Sequence, residues 1–178
     1  PSLEGITMEQ SLSQIFVFQD TDVITMARVA LAFILGGIVG YERERVQRPA
    51  GLRTHMLVCA GSACFTVASV FGFDNLGTVR DPARLAAQII TGIGFLGAGT
   101  IFRTGSTVRG LTTASSIWIT AAIGIVAGLG LLVLAVFTTL LTWIALFMLK
   151  GFEARRTRRV AAAGEPSIVG KLEAEDDE

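Results

Sequence analysis

The chain has 178 residues, of which 51% are hydrophobic and 17% charged, with 15 Lys and Arg against 15 Asp and Glu. Soluble domains carry about 25% charged residues, and here the charges are also clustered: none falls between Leu85 and Phe102 or between Gly110 and Leu149. That distribution excludes an ordinary soluble globule, leaves little room for an extramembrane catalytic domain, and points to an all-α, polytopic membrane protein.

Residues 1–22 contain no Lys or Arg, so no positive n-region marks a signal peptide. They form an external N-terminal segment. Within it, Leu12, Ile15, Phe16 and Phe18 fit either a short interfacial helix or an unstructured end. A span needs about 20 apolar residues to cross a hydrocarbon core of about 30 Å. Val23–Tyr41 meets this with one interruption, Arg28, and Thr54–Phe73 is a second span. Pro82–Phe102 is a third, with Asp81 as N-cap and Pro82 at the first helical position. Leu111–Leu149 as one helix would be about 58 Å long, so it is expected to fold back at Gly128-Leu-Gly130. The fourth and fifth spans are then Leu111–Ala127 and Leu131–Leu149. Residues 23–149 thus form a five-span domain. Residues 150–178, basic and then acidic, read as a disordered cytoplasmic tail.

Lys and Arg set the orientation. Arg43, Arg45, Arg48, Arg53, Arg103, Arg109 and the five basic residues from Lys150 to Arg159 lie on one side, against Arg80 and Arg84 on the other. The expected topology places the N-terminus outside and the C-terminus in the cytoplasm. Cys59 and Cys64 are five residues apart in an apolar run, a spacing that separates them around a helix, and they read as small buried thiols.

Gly92-Ile-Gly-Phe-Leu-Gly97 matches the dinucleotide-binding G-x-G-x-x-G pattern, but it lies inside a span, without the strand and helix N-terminus that the chemistry needs. Gly92, Gly94, Gly97 and Gly99, with Gly36 and Gly40 on the first span and Gly124 and Gly128 on the fourth, are instead expected to admit close backbone approach. That approach is either within the chain or between chains. A locally unwound third helix offering carbonyls to an ion is the other reading.

Ionisable groups at membrane depth are costly and mark functional candidates. Arg28 on the first span and Asp81, Arg84 and Gln88 on one face of the third form such an intramembrane cluster, with Arg28 expected to pair with Asp81. The alternative makes Asp81 a cap and sends Arg84 out to the headgroups. A second, cytoplasmic cluster comprises Glu42, Arg43, Glu44, Arg45, Arg48, Arg53, His55, Arg103 and Arg109. Part of it is the orientation signal, but Glu42 requires more. At the end of an apolar helix it should pair with an arginine, expected from the loop after the third span. Thr112 and Thr113 either satisfy backbone groups or face this cluster.

No catalytic or metal-binding constellation is expected. One His without matching Cys or carboxylates does not make a closed zinc site. Glu42 and Asp81 lie at opposite faces, too far apart for an aspartyl dyad. His55 has no serine in supporting context.

Five ordered blocks carry a resemblance: Gly36-Gly-Ile-Val-Gly-Tyr-Glu-Arg-Glu-Arg45, Arg48-Pro-Ala-Gly-Leu-Arg-Thr-His55, Asp81-Pro-Ala-Arg-Leu-Ala-Ala-Gln88, Gly92-Ile-Gly-Phe-Leu-Gly-Ala-Gly-Thr-Ile101 and Val108-Arg-Gly-Leu-Thr-Thr-Ala114. Together, between about Val23 and Leu149, they resemble the MgtC/SapB family of bacterial inner-membrane proteins. The resemblance implies a link to growth in low magnesium and to survival in the macrophage. It also implies a regulator rather than a pump, with the F-type ATP synthase as a partner of some members and a soluble C-terminal domain in longer ones. The expectation is therefore a non-enzymatic regulator in the inner membrane, with no cofactor and no nucleic-acid partner. It acts on another membrane protein in magnesium or acid stress and forms a homodimer through its small residues. The alternative is a small carrier or channel for Mg²⁺ or protons with Asp81, Arg84 and Gln88 at its outer vestibule.

Overall fold

The computed structural model describes residues 20–71, 83–105 and 107–162. Five helices and one small hairpin follow in order: α1 (Asp20–Arg45), α2 (Leu52–Phe71), α3 (Ala83–Gly99), β1 (Phe102–Thr104), β2 (Thr107–Arg109), α4 (Leu111–Gly128) and α5 (Leu132–Ala162). The segments Thr21–Arg45, Leu52–Phe71 and Leu111–Gly128 are long and apolar enough to cross a membrane, while Ala86–Gly99 and Leu132–Phe147 are shorter apolar helices. Asp81, Pro82 and most of the N-terminal segment lie outside the described residues.

Two helix ends show how local sequence closes each element. After α1, the Gln47 N–H bonds the Glu44 carbonyl and the Arg48 N–H bonds that of Arg43, a Schellman pattern with Gln47 at φ 52°. Pro49, which cannot continue a helix, follows. After α4 the same pattern recurs: the Gly130 N–H bonds the Ala127 carbonyl, the Leu131 N–H bonds that of Val126, and Gly130 has φ 85°. The expected break at Gly128-Leu-Gly130 is thus a helix C-cap whose left-handed position is held by glycine.

The core is built from small residues. Ala32, Leu35 and Val39 of α1 meet Cys59 and Ala63 of α2, Ile123 and Ala127 of α4 and Ala135 of α5 in one buried cluster. In lipid the tails are as apolar as leucine, so helices associate through dispersion contacts that small residues shorten. Large apolar side chains such as Leu57, Phe95 and Val133 point outward. Cys64 is exposed rather than buried, and Cys59 is a buried free thiol.

Besides shifts of two to four residues at the ends of α1 and α2 (Asp20–Arg45 and Leu52–Phe71 against the expected Val23–Tyr41 and Thr54–Phe73), two boundaries differ from expectation. The third span was expected to continue to Phe102, but α3 stops at Gly99. The Thr100 and Ile101 N–H groups turn onto the Gly97 and Ala98 carbonyls, and the Thr100 hydroxyl also donates to the Gly97 carbonyl. Phe102 belongs to β1, which pairs antiparallel with β2 in the register Phe102↔Arg109, Arg103↔Val108, Thr104↔Thr107. Glycines at 97 and 99 weaken the helix end, and Gly105 at φ 61° supplies the left-handed turn position. Gly110, at φ 92°, then enters α4 so close to the Thr100 carbonyl oxygen that a side chain there would collide with it. The second difference is at the C-terminal end. Residues 150–162 were expected in a disordered tail but continue α5. The segment is rich in Ala and Arg and has no proline, and its helix propensity extends the last span.

Candidate functional site

The last turn of α1 carries two buried charges. Glu42 is 6% and Arg43 3% exposed, and the Arg43 guanidinium donates from both Nε and Nη2 to Glu42 Oε2. The partner expected for Glu42, an arginine from the loop after α3, is therefore corrected to its own sequence neighbour. That loop folds on itself as the β1–β2 hairpin, where Arg103 Nε donates to the Gly105 carbonyl at 2.8 Å. Both long stems of the Glu42–Arg43 pair fold inward, so each charge neutralises the other out of solvent.

Glu44 does structural work. Its Oε2 accepts the Leu52 N–H at 2.7 Å, capping the first turn of α2 from across the connecting loop. A Cβ on Gly51 would lie 2.9 Å from that oxygen. Arg45 lies over the Tyr41 ring, 5.8 Å from its centroid, and Arg48, Arg53, Arg103 and Arg109 are exposed. The expected cytoplasmic cluster thus divides into a buried pair, a cap and an exposed basic rim.

His55 is completely buried at the meeting point of α1, α2 and α4. Its Nδ1 is 2.8 Å from the Gly51 carbonyl, an acceptor only, so Nδ1 carries a hydrogen. Nε2 is 3.1 Å from Ser116 Oγ, and the Ser116 hydroxyl is 2.8 Å from the Thr113 carbonyl. The chain 51–55–116–113 ties the start of α2 to the start of α4. On the α1 side, a Cβ at Gly36 would lie 2.6 Å from the His55 carbonyl oxygen, and one at Gly40 would lie 3.0 Å from the His55 Cβ. The i, i+3, i+7 spacing of Thr113, Ser116 and Thr120 marks the face of α4 that turns inward. Thr112 and Ser115 face outward.

From this junction a file of buried hydroxyls continues along both helices, Thr113, Ser116 and Thr120 on α4 near the His55 level and then Ser62, Thr66 and Ser69 on α2. Thr66 donates to the Ser62 carbonyl at 2.8 Å and Thr120 to the Ser116 carbonyl at 2.7 Å, so these hydroxyls are occupied within their own helices. Gly124 and Gly128 close the file. A Cβ at Gly124 would lie 2.8 Å from Ser62 Cβ, and one at Gly128 would lie 2.9 Å from Thr66 Cβ.

At the other end, Arg28 caps α4. Its Nη1 donates to the Gly128 carbonyl at 3.3 Å, its guanidinium sits 5.9 Å from the Phe71 ring centroid, and a Cβ on Gly130 would lie 2.8 Å from Nη2. The Schellman turn leaves the Gly128 carbonyl without an intrahelical partner, and a cation at a helix C-terminus also complements the dipole. The expected partner Asp81 lies outside the described residues. Arg84 and Gln88 are exposed on α3, away from this contact. Gln88 and Gly92 line one wall of an apolar groove of about 520 Å³, with Leu57, Gly61 and Phe65 on the α2 side. Gly97 faces Ala114 across α4, whereas Gly92, Gly94 and Gly99 face open space. Among the described residues, no group of three or more His, Cys, Asp or Glu assembles to hold a metal ion.

The sequence profile of the MgtC family matches residues 29–155. The chain is 45% identical over 125 residues to the putative magnesium transporter YhiD of Escherichia coli strain K12, covering 67% of this chain and 57% of that protein. It is 50% identical over 109 residues to protein MgtC of Brucella abortus strain 2308, covering 61% and 44% respectively. It is 41% identical over 142 residues to protein MgtC of Salmonella typhimurium strain 14028s, covering 79% and 59%. The chain thus spans about half the length of the curated relatives it matches. No solved structure matches it. The profile spans well over half of the chain and takes in the Glu42–Arg43 pair, His55, the glycine contacts and the hairpin, so this multi-pass membrane protein belongs to the MgtC family.

Proposed function

We propose that the chain is a non-enzymatic regulator in the bacterial inner membrane, working in magnesium homeostasis and low-magnesium or acid stress by binding another membrane protein. In this reading it crosses the bilayer five times, with the N-terminus outside and the Glu42 end, the hairpin and the C-terminus in the cytoplasm. The observation that carries the reading is the packed state of the central polar file. Gly124 and Gly128 leave no room for even a Cβ, the Thr66 and Thr120 hydroxyls serve their own helices, and the buried Glu42 carboxylate is neutralised by Arg43. A carrier needs free acceptors along a wet path, whereas a regulator needs a stable scaffold with outward surfaces. The open glycines of α3 and the α2–α3 groove offer such a surface for a partner or a second copy. The F-type ATP synthase is the named candidate partner.

Transport is the second reading, favoured by the relative named as a putative magnesium transporter. One pair of measurements separates the two. Purified protein in sealed liposomes is assayed for Mg²⁺ and proton flux, and native membranes are solubilised to identify co-purifying proteins. The regulator reading expects no flux above protein-free vesicles and a stoichiometric membrane partner that is lost when α3 is altered at Gly92 and Gly94. Flux that is abolished by Glu42→Gln would overturn it in favour of the carrier.

A further inference from the structure

The two faces of the β1–β2 hairpin carry the same chemistry. Residues directly opposite each other in an antiparallel pair share a face. Phe102 and Arg109 therefore occupy one face and Arg103 and Val108 the other. Each face presents one large apolar side chain and one guanidinium. Phe102 is 50% and Val108 49% exposed, so neither anchor is covered by the other described residues. Ile101 and Leu111, at the root of the hairpin, are exposed as well. A hairpin that docks on a protein surface buries one apolar face and leaves the other to water, and its side chains alternate accordingly. Here the two strands place their apolar residues on opposite faces. A two-stranded hairpin with an apolar group exposed on both faces is also poorly stable in water alone.

An environment that is amphipathic on every side matches this pattern, and the headgroup layer of the bilayer is such an environment. The hairpin leaves α3 three residues after its last helical residue and re-enters α4 two residues after its own last strand residue, which keeps its root at the ends of apolar helices. No Asp or Glu occurs between Asp81 and Glu153, so Arg103 and Arg109 have no acidic neighbour in the surrounding sequence. Arg103 Nε is fixed on the Gly105 carbonyl, which holds its guanidinium beside the turn with the terminal nitrogens free to meet an anion. Planar guanidinium groups recognise phosphate oxygens in pairs.

We infer that the β1–β2 hairpin is a binding site for anionic phospholipid, with Arg103 and Arg109 on the headgroup phosphates and Phe102 and Val108 anchored at the acyl boundary. The inference rests on the membrane reading proposed above, and it adds a ligand class to an element that reading leaves without a role. The hairpin is then a lipid-responsive link between α3 and α4, which belongs to the packed core.

The test uses the full chain in detergent, titrated with phosphatidylglycerol, phosphatidylcholine or inorganic phosphate. Each basic residue at an anionic membrane surface contributes about a fivefold gain in binding. Arg103→Gln with Arg109→Gln should therefore raise the apparent Kd for phosphatidylglycerol about 25-fold and erase its preference over phosphatidylcholine. Phe102→Ser with Val108→Ser should weaken both lipids and keep the preference. Inorganic phosphate should not displace the lipid. An unchanged Kd in the double arginine variant overturns the inference and leaves the hairpin to a protein partner. So does an equal loss in Arg48→Gln with Arg53→Gln, which would mean a diffuse basic surface. Displacement by inorganic phosphate would make the site one for free anions. Orientation is judged separately by labelling Thr104→Cys, in a Cys64→Ala background, with a membrane-impermeant thiol reagent on vesicles of each sidedness. Labelling from outside alone would overturn the topology, while the lipid titration still decides the hairpin.

Discussion

In the α1–α2–α4 core, a Cβ at Gly36 would lie 2.6 Å from the Cys59 Cβ, and Gly40, Gly124 and Gly128 are as tightly enclosed. On α3, a Cβ at Gly92, Gly94 or Gly99 would meet nothing within 4 Å. The residue type and the apolar context are the same, and the consequences are opposite. In the core, glycine is the condition for two backbones to touch. On α3, Gly92, Gly94 and Gly99 cost helix stability and return no contact among the described residues. Among the described residues, burial of ionisable groups is confined to the core side, which also carries the exposed Arg45, Arg48 and Arg53. Glu42, Arg43 and His55 are buried in the core assembly, whereas Arg84, Arg103 and Arg109 are exposed on α3 and the hairpin.

This contrast can be broken most severely at the buried ion pair. Arg43→Met leaves the Glu42 carboxylate buried without a partner, and loss of one member of such a pair costs about 3–5 kcal/mol. Glu42→Gln combined with Arg43→Met should cost less than Arg43→Met alone. Reversible unfolding in mixed detergent micelles measures both, and Arg103→Met on the hairpin should leave the transition unchanged.

Next in size are the glycines. Gly36→Ala and Gly124→Ala force side chains into closed contacts and should destabilise by about 1–3 kcal/mol. Gly92→Ala meets open space and should stabilise the isolated chain by about 0.5–1 kcal/mol through helix propensity. If Gly92→Ala also shifts a dimer to monomer in mild detergent or bilayers, the α3 glycines pack against a second copy. If the species present is unchanged, homodimerisation through this face is refuted.

Arg28 sharpens the comparison at the opposite end. Arg28→Met removes a charged donor from the Gly128 carbonyl and should cost about 1.5–3 kcal/mol. The same change at exposed Arg84 should leave unfolding unaltered. A double variant with Asp81→Asn assigns the partner: additive losses place Arg28 on the α4 cap alone, and a coupling above about 0.5 kcal/mol brings Asp81 into its shell. The smallest expected effect is a gain. Gln47 holds a left-handed conformation that costs a non-glycine residue about 1–2 kcal/mol, and Gln47→Gly should recover about 1 kcal/mol of it, seen as a rise in the unfolding midpoint.

Much of the fold was legible because the relevant signals are local. Charge-free runs place the helices from Val23 onward, and the Gly128-Leu-Gly130 break reads from glycine's access to positive φ. The end of α3 was misplaced by three residues because the hairpin depends on the pairing of Phe102 with Arg109 rather than on hydropathy. The helical run to Ala162 was missed because the change from apolar to basic composition masked the helix propensity of its Ala and Arg residues.

Neighbours along the chain were enough to determine that it is a bundle of apolar helices, that it turns back at Gly128-Leu-Gly130, and which family it belongs to. Composition, spacing and motif order are properties of neighbours along the chain. Tertiary structure alone decided which polar groups meet. His55 and Ser116 are 61 positions apart, and Arg28 and Gly128 are 100 apart, so neither pairing leaves a trace in spacing. It also decided that Glu42 is neutralised by Arg43, that Glu44 is a cap, and that Gly36, Gly40, Gly124 and Gly128 are enclosed while Gly92, Gly94 and Gly99 are open. A buried polar group takes the partner that the packed helices place within about 3 Å, and only the mutual rotation and approach of those helices fixes which partner that is.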